Sequence, residues 1–125
     1  MERSILLQLA RDSIQEVYEA KRTIDKLHLL QQHPLLSEKI ATTVNIYLDN
    51  KLKSSHGSKD ASKTLIEDII YNAKKAAFEN SDSKSLSTSE YIECEIELIL
   101  NTTEGVMSQR DRSLADSKEI THPFE

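Results

Sequence analysis

The sequence predicts an α+β fold in which an antiparallel sheet packs against helices, and it predicts a single domain over residues 1–125. Two segments, residues 4–30 and 64–78, repeat apolar side chains at steps of three and four, which is typical of amphipathic helices. Two others, residues 40–48 and 92–100, alternate apolar and polar side chains, as half-buried strands do. Helices and strands that interleave in this order, with one short hairpin, indicate an α+β class.

The first helix is predicted to run from Ser4 to Leu30. Ser4 can cap it, because a serine side chain accepts a hydrogen bond from the unpaired N–H groups of a first turn. Pro34 stops any continuation, since its ring disfavours a helical residue before it. A helix of this length is long for a chain of 125 residues, so we expect a break near Lys26–His28.

The first hairpin is predicted around Asp49-Asn50-Lys51. Residues 40–48 before it are rich in β-branched side chains, with Ile, Thr, Val, Ile and Leu at the even positions. The three polar residues are a turn signal, and the chain from Leu52 onward can pair back as the second strand.

Two capping boxes are predicted in the second half of the chain. In Thr64–Glu67 the hydroxyl can accept from the Glu67 amide while the carboxylate reaches back, and Ser87–Glu90 repeats this pattern before one short turn. The strand Ile92–Leu100 follows, with apolar residues at all five even positions. We expect a turn at Asn101–Gly105 and a last short helix at Arg112–Ile120.

Composition excludes several classes of protein. No apolar run approaches the roughly 20 residues of a membrane span, so we expect no membrane partner. The net charge of −5 and the pI near 5.4 argue against a nucleic-acid binder. The single cysteine, Cys94, cannot form an internal disulfide, and the N-terminus shows no signal peptide; both favour the cytoplasm. Two glycines in the whole chain exclude a Rossmann-type cofactor fold, and we expect no cofactor.

Isolated reactive side chains have ordinary structural explanations. The four histidines form no i,i+4 pair and have no cysteine neighbour, so we expect no metal site. Cys94 is predicted to be a small core residue. Glu93, Glu95 and Glu97 could be paired carboxylates, but a solvated strand face is the favoured interpretation. The adjacent Ser55 and His56 do not by themselves place a serine against a base.

Residues Gly57–Thr64 come close to the phosphate-binding loop G-x-x-x-x-G-K-[ST], and they open a helix as that motif requires. Ser62 stands where the second glycine is needed. A serine resists the close backbone approach and the positive φ of that position. A serine- and lysine-containing loop is therefore the favoured interpretation, and a degenerate nucleotide-binding loop is the third functional hypothesis.

A longer match is carried by the helix Leu65–Asn80, which reads LIEDIIYNAKKAAFEN. It resembles the L-x-E-D-x-x-x-N-A-x-x-A-A-F-E-D helix of the AMMECR family, also called AmmeMemoRadiSam system protein A. Leu86–Glu90 is similar to the L-[ST]-x-x-E loop of that family, Ile96–Leu98 to its I-E-[VL] strand, and Leu6–Ile14 to its opening L-L-x-L-A-R-x-x-I helix. The matches extend over most of the chain.

The chain departs from this family after the first hairpin turn. There the family carries L-R-G-C-I-G, whose arginine and cysteine line a cleft, whereas Leu52–Gly57 reads L-K-S-S-H-G. Lys53 keeps the charge but loses the bidentate fork of an arginine. Ser55 replaces the cysteine, and a hydroxyl cannot supply thiolate chemistry. The family also continues with a G-L-I-L strand and an L-P-Q-V segment, so the resemblance predicts a short, C-terminally truncated member that lacks the last third.

The resemblance implies a non-catalytic binding or assembly module whose partners are Memo-like and radical-SAM proteins. We expect self-association or a hetero-complex, because the apolar row of the Ile92–Leu100 strand would be left partly uncovered without the later strands of the family.

The alternative is an enzyme or small-anion-binding protein that uses a degenerate cleft at Lys53–Ser58. No catalytic residue is assigned to that cleft. Its candidate ligand-binding residues are Lys53, Ser54, Ser55, His56 and Ser58. We expect the first four to lie at the rim of a shallow cleft near the N-terminus of the Thr64 helix, where anions are favoured.

Overall fold

The computed structural model describes residues 4–79 and 85–114. Its four strands form one antiparallel sheet in the order β2-β1-β3-β4, which confirms the α+β prediction. In chain order the elements are α1 (Ile5–Glu19), α2 (Lys26–Gln32), a short 3-10 helix (Pro34–Ser37), β1 (Ala41–Leu48), β2 (Lys51–Gly57), α3 (Leu65–Phe78), α4 (Thr88–Glu93), β3 (Glu95–Thr102) and β4 (Gly105–Arg110).

One face of the sheet, here called the inner face, packs against α1 and α3. Its central side chains are Val44 and Ile46 from β1 and Ile96 and Leu98 from β3, all fully buried. The alternation of the two strands places these residues on the same side. The expectation that the apolar row of β3 would be left uncovered is therefore wrong, since helices cover it and β3 is a central strand.

The first helix is shorter than predicted. Ser4 caps it as expected, accepting a hydrogen bond from the Leu7 amide at 3.1 Å, but α1 ends at Glu19 and Ala20 adopts a left-handed conformation with φ 56°. The carboxylate of Glu16 accepts the backbone N–H groups of Thr23 and Ile24 at 2.7 and 2.8 Å, which turns the chain away from the helix axis. The predicted break thus exists, several residues earlier than Lys26–His28.

Only one of the two predicted capping boxes forms. Ser87 and Glu90 make both hydrogen bonds of the box. Thr64 precedes α3, but its side chain makes no capping bond, and the Glu67 carboxylate accepts from the ammonium of Lys26 at 3.0 Å instead. The N–H of Leu65, the first residue of α3, donates to the carbonyl of Glu38 at 2.7 Å, so a neighbouring segment pairs one N–H of the first turn.

The strand predicted over Ile92–Leu100 begins later, at Glu95. The capping box extends α4 to Glu93, which makes Ile92 helical and 41% exposed. Strand β4 was not foreseen, because its sequence GVMSQR has no strong alternation. The helix predicted at Arg112–Ile120 falls largely outside the described residues. No helix within the described ranges is long and apolar enough to cross a membrane.

A buried arginine joins the two ends of the described fold. Arg11 is 1% exposed and donates from Nε to Asp111 Oδ2 at 2.8 Å and from Nη2 to Asp111 Oδ1 at 3.2 Å. Its guanidinium also donates to the carbonyls of Tyr91 and Cys94 at 3.1 and 2.8 Å. Cys94 is fully buried beside it, as predicted for a core cysteine, and burial raises the pKa of its thiol.

Candidate functional site on the outer face of the sheet

Strand β2 sends the predicted site residues in different directions. Ser54 and His56 pair with Ile46 and Val44 and therefore face α3, whereas Ser55 pairs with Asn45 on the opposite side of the sheet, here called the outer face. Lys53 occupies a bulge where the register with β1 shifts, and its ammonium lies 3.8 Å from the carboxylate of Glu90.

His56 and Ser58 meet a buried polar network beneath β1. His56 Nδ1 lies 2.8 Å from the Asn72 side-chain oxygen, and the Asn72 amide nitrogen donates to the carbonyl of Thr42 at 3.1 Å. Since Asn72 presents its oxygen to the ring, Nδ1 of His56 carries the proton. Ser58 donates to Asp68 Oδ1 at 2.6 Å, and Thr42 donates to Asp68 Oδ2 through both its amide and its hydroxyl at 2.7 Å. This network anchors α3 under the β1–β2 hairpin.

The structure brings His56 and Ser58 together through Asn72 and Asp68, but it does not bring Lys53 or Ser55 to them. The remaining predicted residue, Ser54, is 5% exposed, and its hydroxyl has no hydrogen-bond partner within the described part of the chain.

The loop that resembles a phosphate-binding motif does not aim its lysine at its own backbone N–H groups. The ammonium of Lys63 lies 4.3 Å from the ring centroid of Tyr71, and the N–H of Ser62 bonds the carbonyl of Asp60 at 3.0 Å. His56 packs edge-on against the same Tyr71 ring, with 5.8 Å between centroids. The loop therefore follows the surface of α3.

On the outer face, Ser55 begins a chain of hydrogen bonds that crosses three strands. Its hydroxyl donates to the Asn45 side-chain oxygen at 2.5 Å, and the Asn45 amide donates to Glu97 Oε1 at 3.0 Å. Tyr47 donates its hydroxyl to the same Glu97 oxygen at 2.9 Å. The strand register sets this row, since Asn45 pairs with Ser55 on one side and with Glu97 on the other.

Arg110 on β4 extends this polar surface. Its guanidinium lies 4.1 Å from the ring centroid of Tyr47, and its Nε donates to Glu95 at 2.8 Å. The hydrogen bond from Asn45, together with that from Tyr47, lowers the pKa of the Glu97 carboxyl, although burial opposes the shift. Glu97 in turn raises the pKa of the Tyr47 phenol, which keeps its proton as a donor.

No helix among the described residues covers the outer face. Its side chains on β1, β2 and β3 are half-buried or exposed, apart from Ala41. Within this face, the hydrogen bonds of the row fix Ser55, Asn45, Glu97 and Tyr47 relative to one another. Such a surface offers fixed donors and acceptors to a second molecule, a form of preorganisation that reduces the entropic cost of binding.

A sequence profile named AMMECR1 matches residues 7–117, which is most of the chain. The chain belongs to the AMMECR1 family. No curated protein gives a significant match.

The fold of this AMMECR1 chain is similar to the crystal structure of the uncharacterized protein PH0010 from Pyrococcus horikoshii. The two superpose with a TM-score of 0.68 at 22% sequence identity, and the alignment covers 76% of this chain and 48% of that one. The chain therefore spans about half the length of that protein, and the likeness establishes the fold.

Sequence reasoning missed most of the outer-face row of this AMMECR1 domain. Asn45, Tyr47 and Arg110 carry no motif, and only the strand register shows that they meet. The inner network had a readable signal, since Asp68 and Asn72 are four residues apart on the otherwise apolar face of α3. A carboxylate and an amide at that spacing on a buried helix face indicate a paired polar cluster.

Proposed function

We propose that this AMMECR1 protein is a non-catalytic binding module and that it recognises another protein through the outer face of its sheet. The observation that supports this proposal is the row Ser55, Asn45, Glu97 and Tyr47, which is linked by hydrogen bonds across a face that no helix within residues 4–79 and 85–114 covers. A sheet face that has ordered side chains and no covering element fits a recognition surface better than a closed catalytic pocket.

The chemistry of the row supports binding over catalysis. The hydroxyl proton of Ser55 goes to an amide oxygen, which is too weak a base to activate a nucleophile. His56, the nearest imidazole in sequence, faces α3 from the other side of the sheet, and its Nδ1 is held by Asn72. The charge of Lys53 lies beside Glu90 rather than beside these groups. The Glu97 carboxylate lies on the same face as Ser55, but the row joins the two through the amide of Asn45 rather than directly.

The proposed partners are Memo-like and radical-SAM proteins. This assignment rests on the resemblance of Leu65–Asn80 and Leu6–Ile14 to the AmmeMemoRadiSam system, and the outer face is the surface that we assign to the contact. The face carries Glu95 and Glu97 together with Arg110, so it combines both signs of charge with neutral donors. A partner surface whose charges and hydrogen-bonding groups are complementary to those of the outer face would bind there.

The test is a binding titration with purified Memo-like and radical-SAM proteins, in which calorimetry measures the dissociation constant. We compare Asn101→Arg, which adds a long charged side chain to the outer face, with Gln31→Arg on α2, which makes the same change of charge at an exposed helix position. We expect at least tenfold weaker binding for Asn101→Arg and binding within twofold of wild type for Gln31→Arg. Equal effects of the two variants would contradict the surface assignment, and failure of both proteins to bind the wild type would contradict the partner assignment.

A further inference from the structure

The two edges of the described sheet differ in how they are protected against a further strand. Strand β2 carries a bulge and two lysines, Lys51 and Lys53, which are features that discourage edge-to-edge pairing. Strand β4 pairs with β3 in an unbroken register from Thr102–Gly105 to Glu97–Arg110, and it contains no lysine, proline or bulge. Strand β4 is an edge strand, and within residues 4–79 and 85–114 no further strand pairs with its outward-facing backbone groups.

Apolar side chains flank this open edge on both faces of the sheet. Val106 is 70% exposed on the outer face, and Met107 is 58% exposed on the inner face. Two residues beyond Met107, Gln109 lines a groove of about 370 Å³ whose other walls include Ile5 and Leu35, both partly exposed. A partly apolar groove therefore lies beside the inner face of β4 at the start of α1, and exposed apolar residues that cluster at an edge are typical of interaction sites.

We propose that β4 pairs antiparallel with β4 of a second copy of this chain, about a two-fold axis that passes through Ser108. Two copies of one strand form an antiparallel ladder around such an axis, and the two four-stranded sheets then become one. Ser108 meets Ser108 of the second copy, Val106 meets Arg110, and Met107 meets Gln109. This register sets the smallest of the central side chains on the axis, where two identical groups must share space.

The charges on β4 allow this strand to pair with β4 of a second copy of the chain. The strand has no acidic residue and one cation, Arg110, at its end. In the proposed register the two Arg110 side chains lie at opposite ends of the ladder, so they do not face each other. Each is already paired with Glu95 of its own chain at 2.8 Å and leans over Tyr47, away from the edge. Like-charge repulsion across the ladder is therefore small.

The size of the contact sets the expected strength of the dimer. Specific stable interfaces bury about 1,200–2,000 Å² in total, and weaker ones fall below that range. One short strand pair with Val106 and Met107, extended by the groove near Ile5, lies at the low end of the range. We therefore expect a dimer that dissociates on dilution through the micromolar range rather than an obligate one.

The experiment measures molar mass by light scattering and sedimentation over a wide range of concentration. Wild type should rise from 14.2 kDa towards twice that mass. Met107→Lys should stay monomeric, whereas Leu52→Lys on β2 should behave as wild type, although both replace an apolar edge-strand residue of nearly equal exposure, 58% and 57%. Thermal melting checks that both variants fold.

A cysteine at the axis tests the register independently of any loss of stability. Directly opposed residues of an antiparallel pair have Cα atoms about 4.5–5.5 Å apart, a distance that a disulfide spans. Ser108→Cys should cross-link to a covalent dimer on mild oxidation, and Ser89→Cys, also exposed but on α4, should not. A wild type that stays at 14.2 kDa at every concentration, a Met107→Lys dimer, a monomeric Leu52→Lys, or equal cross-linking of the two cysteine variants would overturn the proposal.

Discussion

Replacing Arg11 tests whether the fold depends on its buried ion pair. The Arg11→Met variant keeps much of the volume of the side chain but removes the cation from a site in which the arginine and aspartate side chains are 1% and 2% exposed. The two N–H groups given to Asp111 disappear, as do those given to the carbonyls of Tyr91 and Cys94. Removing one partner of a buried pair costs about 3–5 kcal/mol, because the other charge stays buried.

We therefore expect Arg11→Met to lower the free energy of unfolding by about 4 kcal/mol. For a domain of this size that is a fall in Tm of roughly 12–20 °C, at about 3–5 °C per kcal/mol. Urea unfolding followed by circular dichroism gives both the midpoint and the slope, and an unchanged slope assigns the loss to the folded state. Arg11→Lys should lower the free energy of unfolding almost as much, since an ammonium cannot donate at once to Asp111 and to both carbonyls.

The matched control is the exposed pair Lys75–Glu79, whose nitrogen and oxygen lie 2.6 Å apart on the surface of α3. Its ion pair is shorter than that of Arg11, yet Lys75→Met should leave the urea midpoint close to that of the wild type because water screens both charges. An Arg11→Met variant destabilised by less than about 1 kcal/mol, or no more than Lys75→Met, would refute the reasoning that burial rather than distance sets the cost.

Two further predictions concern other buried groups. Asp68→Ala should lower the free energy of unfolding by about 3 kcal/mol, and Ser58→Ala by about 1 kcal/mol, because the aspartate accepts from both donors of Thr42 as well as from Ser58. Equal urea midpoints for the two variants would contradict this ranking. Burial, reinforced by Cys94, Tyr91 and Glu90, raises the pKa of Tyr18 to about 12. Because this folded pKa lies above the usual value of 10, Tyr18 contributes stability that is complete below pH 10 and lost as the pH rises through 12. Wild type should lose stability more steeply than Tyr18→Phe over that window, and absorbance at 295 nm should show one fewer late-titrating phenol in the variant; identical titrations would exclude this role for Tyr18.

Local patterns in the sequence were enough to predict most of the scaffold. The alternation that buries Val44 and Ile46, the serine cap at Ser4 and the box Ser87–Glu90 all depend on residues a few positions apart, so the sequence alone predicts them. The capping box predicted at Thr64 does not form, and its Glu67 carboxylate accepts instead from Lys26, a contact across 41 positions that no local pattern indicates.

Local patterns of this kind do not predict the outer-face row. Asn45 meets Glu97 across 52 positions of sequence only because β1 and β3 adopt one register out of several that preserve alternation. Arg110 reaches Tyr47 through a strand whose own sequence gives little signal. The resemblance to AMMECR1 located the segment around Ser55, but the pleat of β2 decides that Ser55 and His56 face opposite ways.

The link between Arg11 and Asp111 also constrains how the protein is made. The two residues are 100 positions apart, so the helix that carries Arg11 leaves the ribosome long before its counter-ion exists. At about 5–20 residues per second, roughly 5–20 s of synthesis separate the two. During that interval Asp111 cannot pair with the guanidinium, so the ion pair that buries Arg11 forms only after residue 111 has been synthesised. The side-chain contacts of α1 are thus completed late, although α1 is among the first elements synthesised.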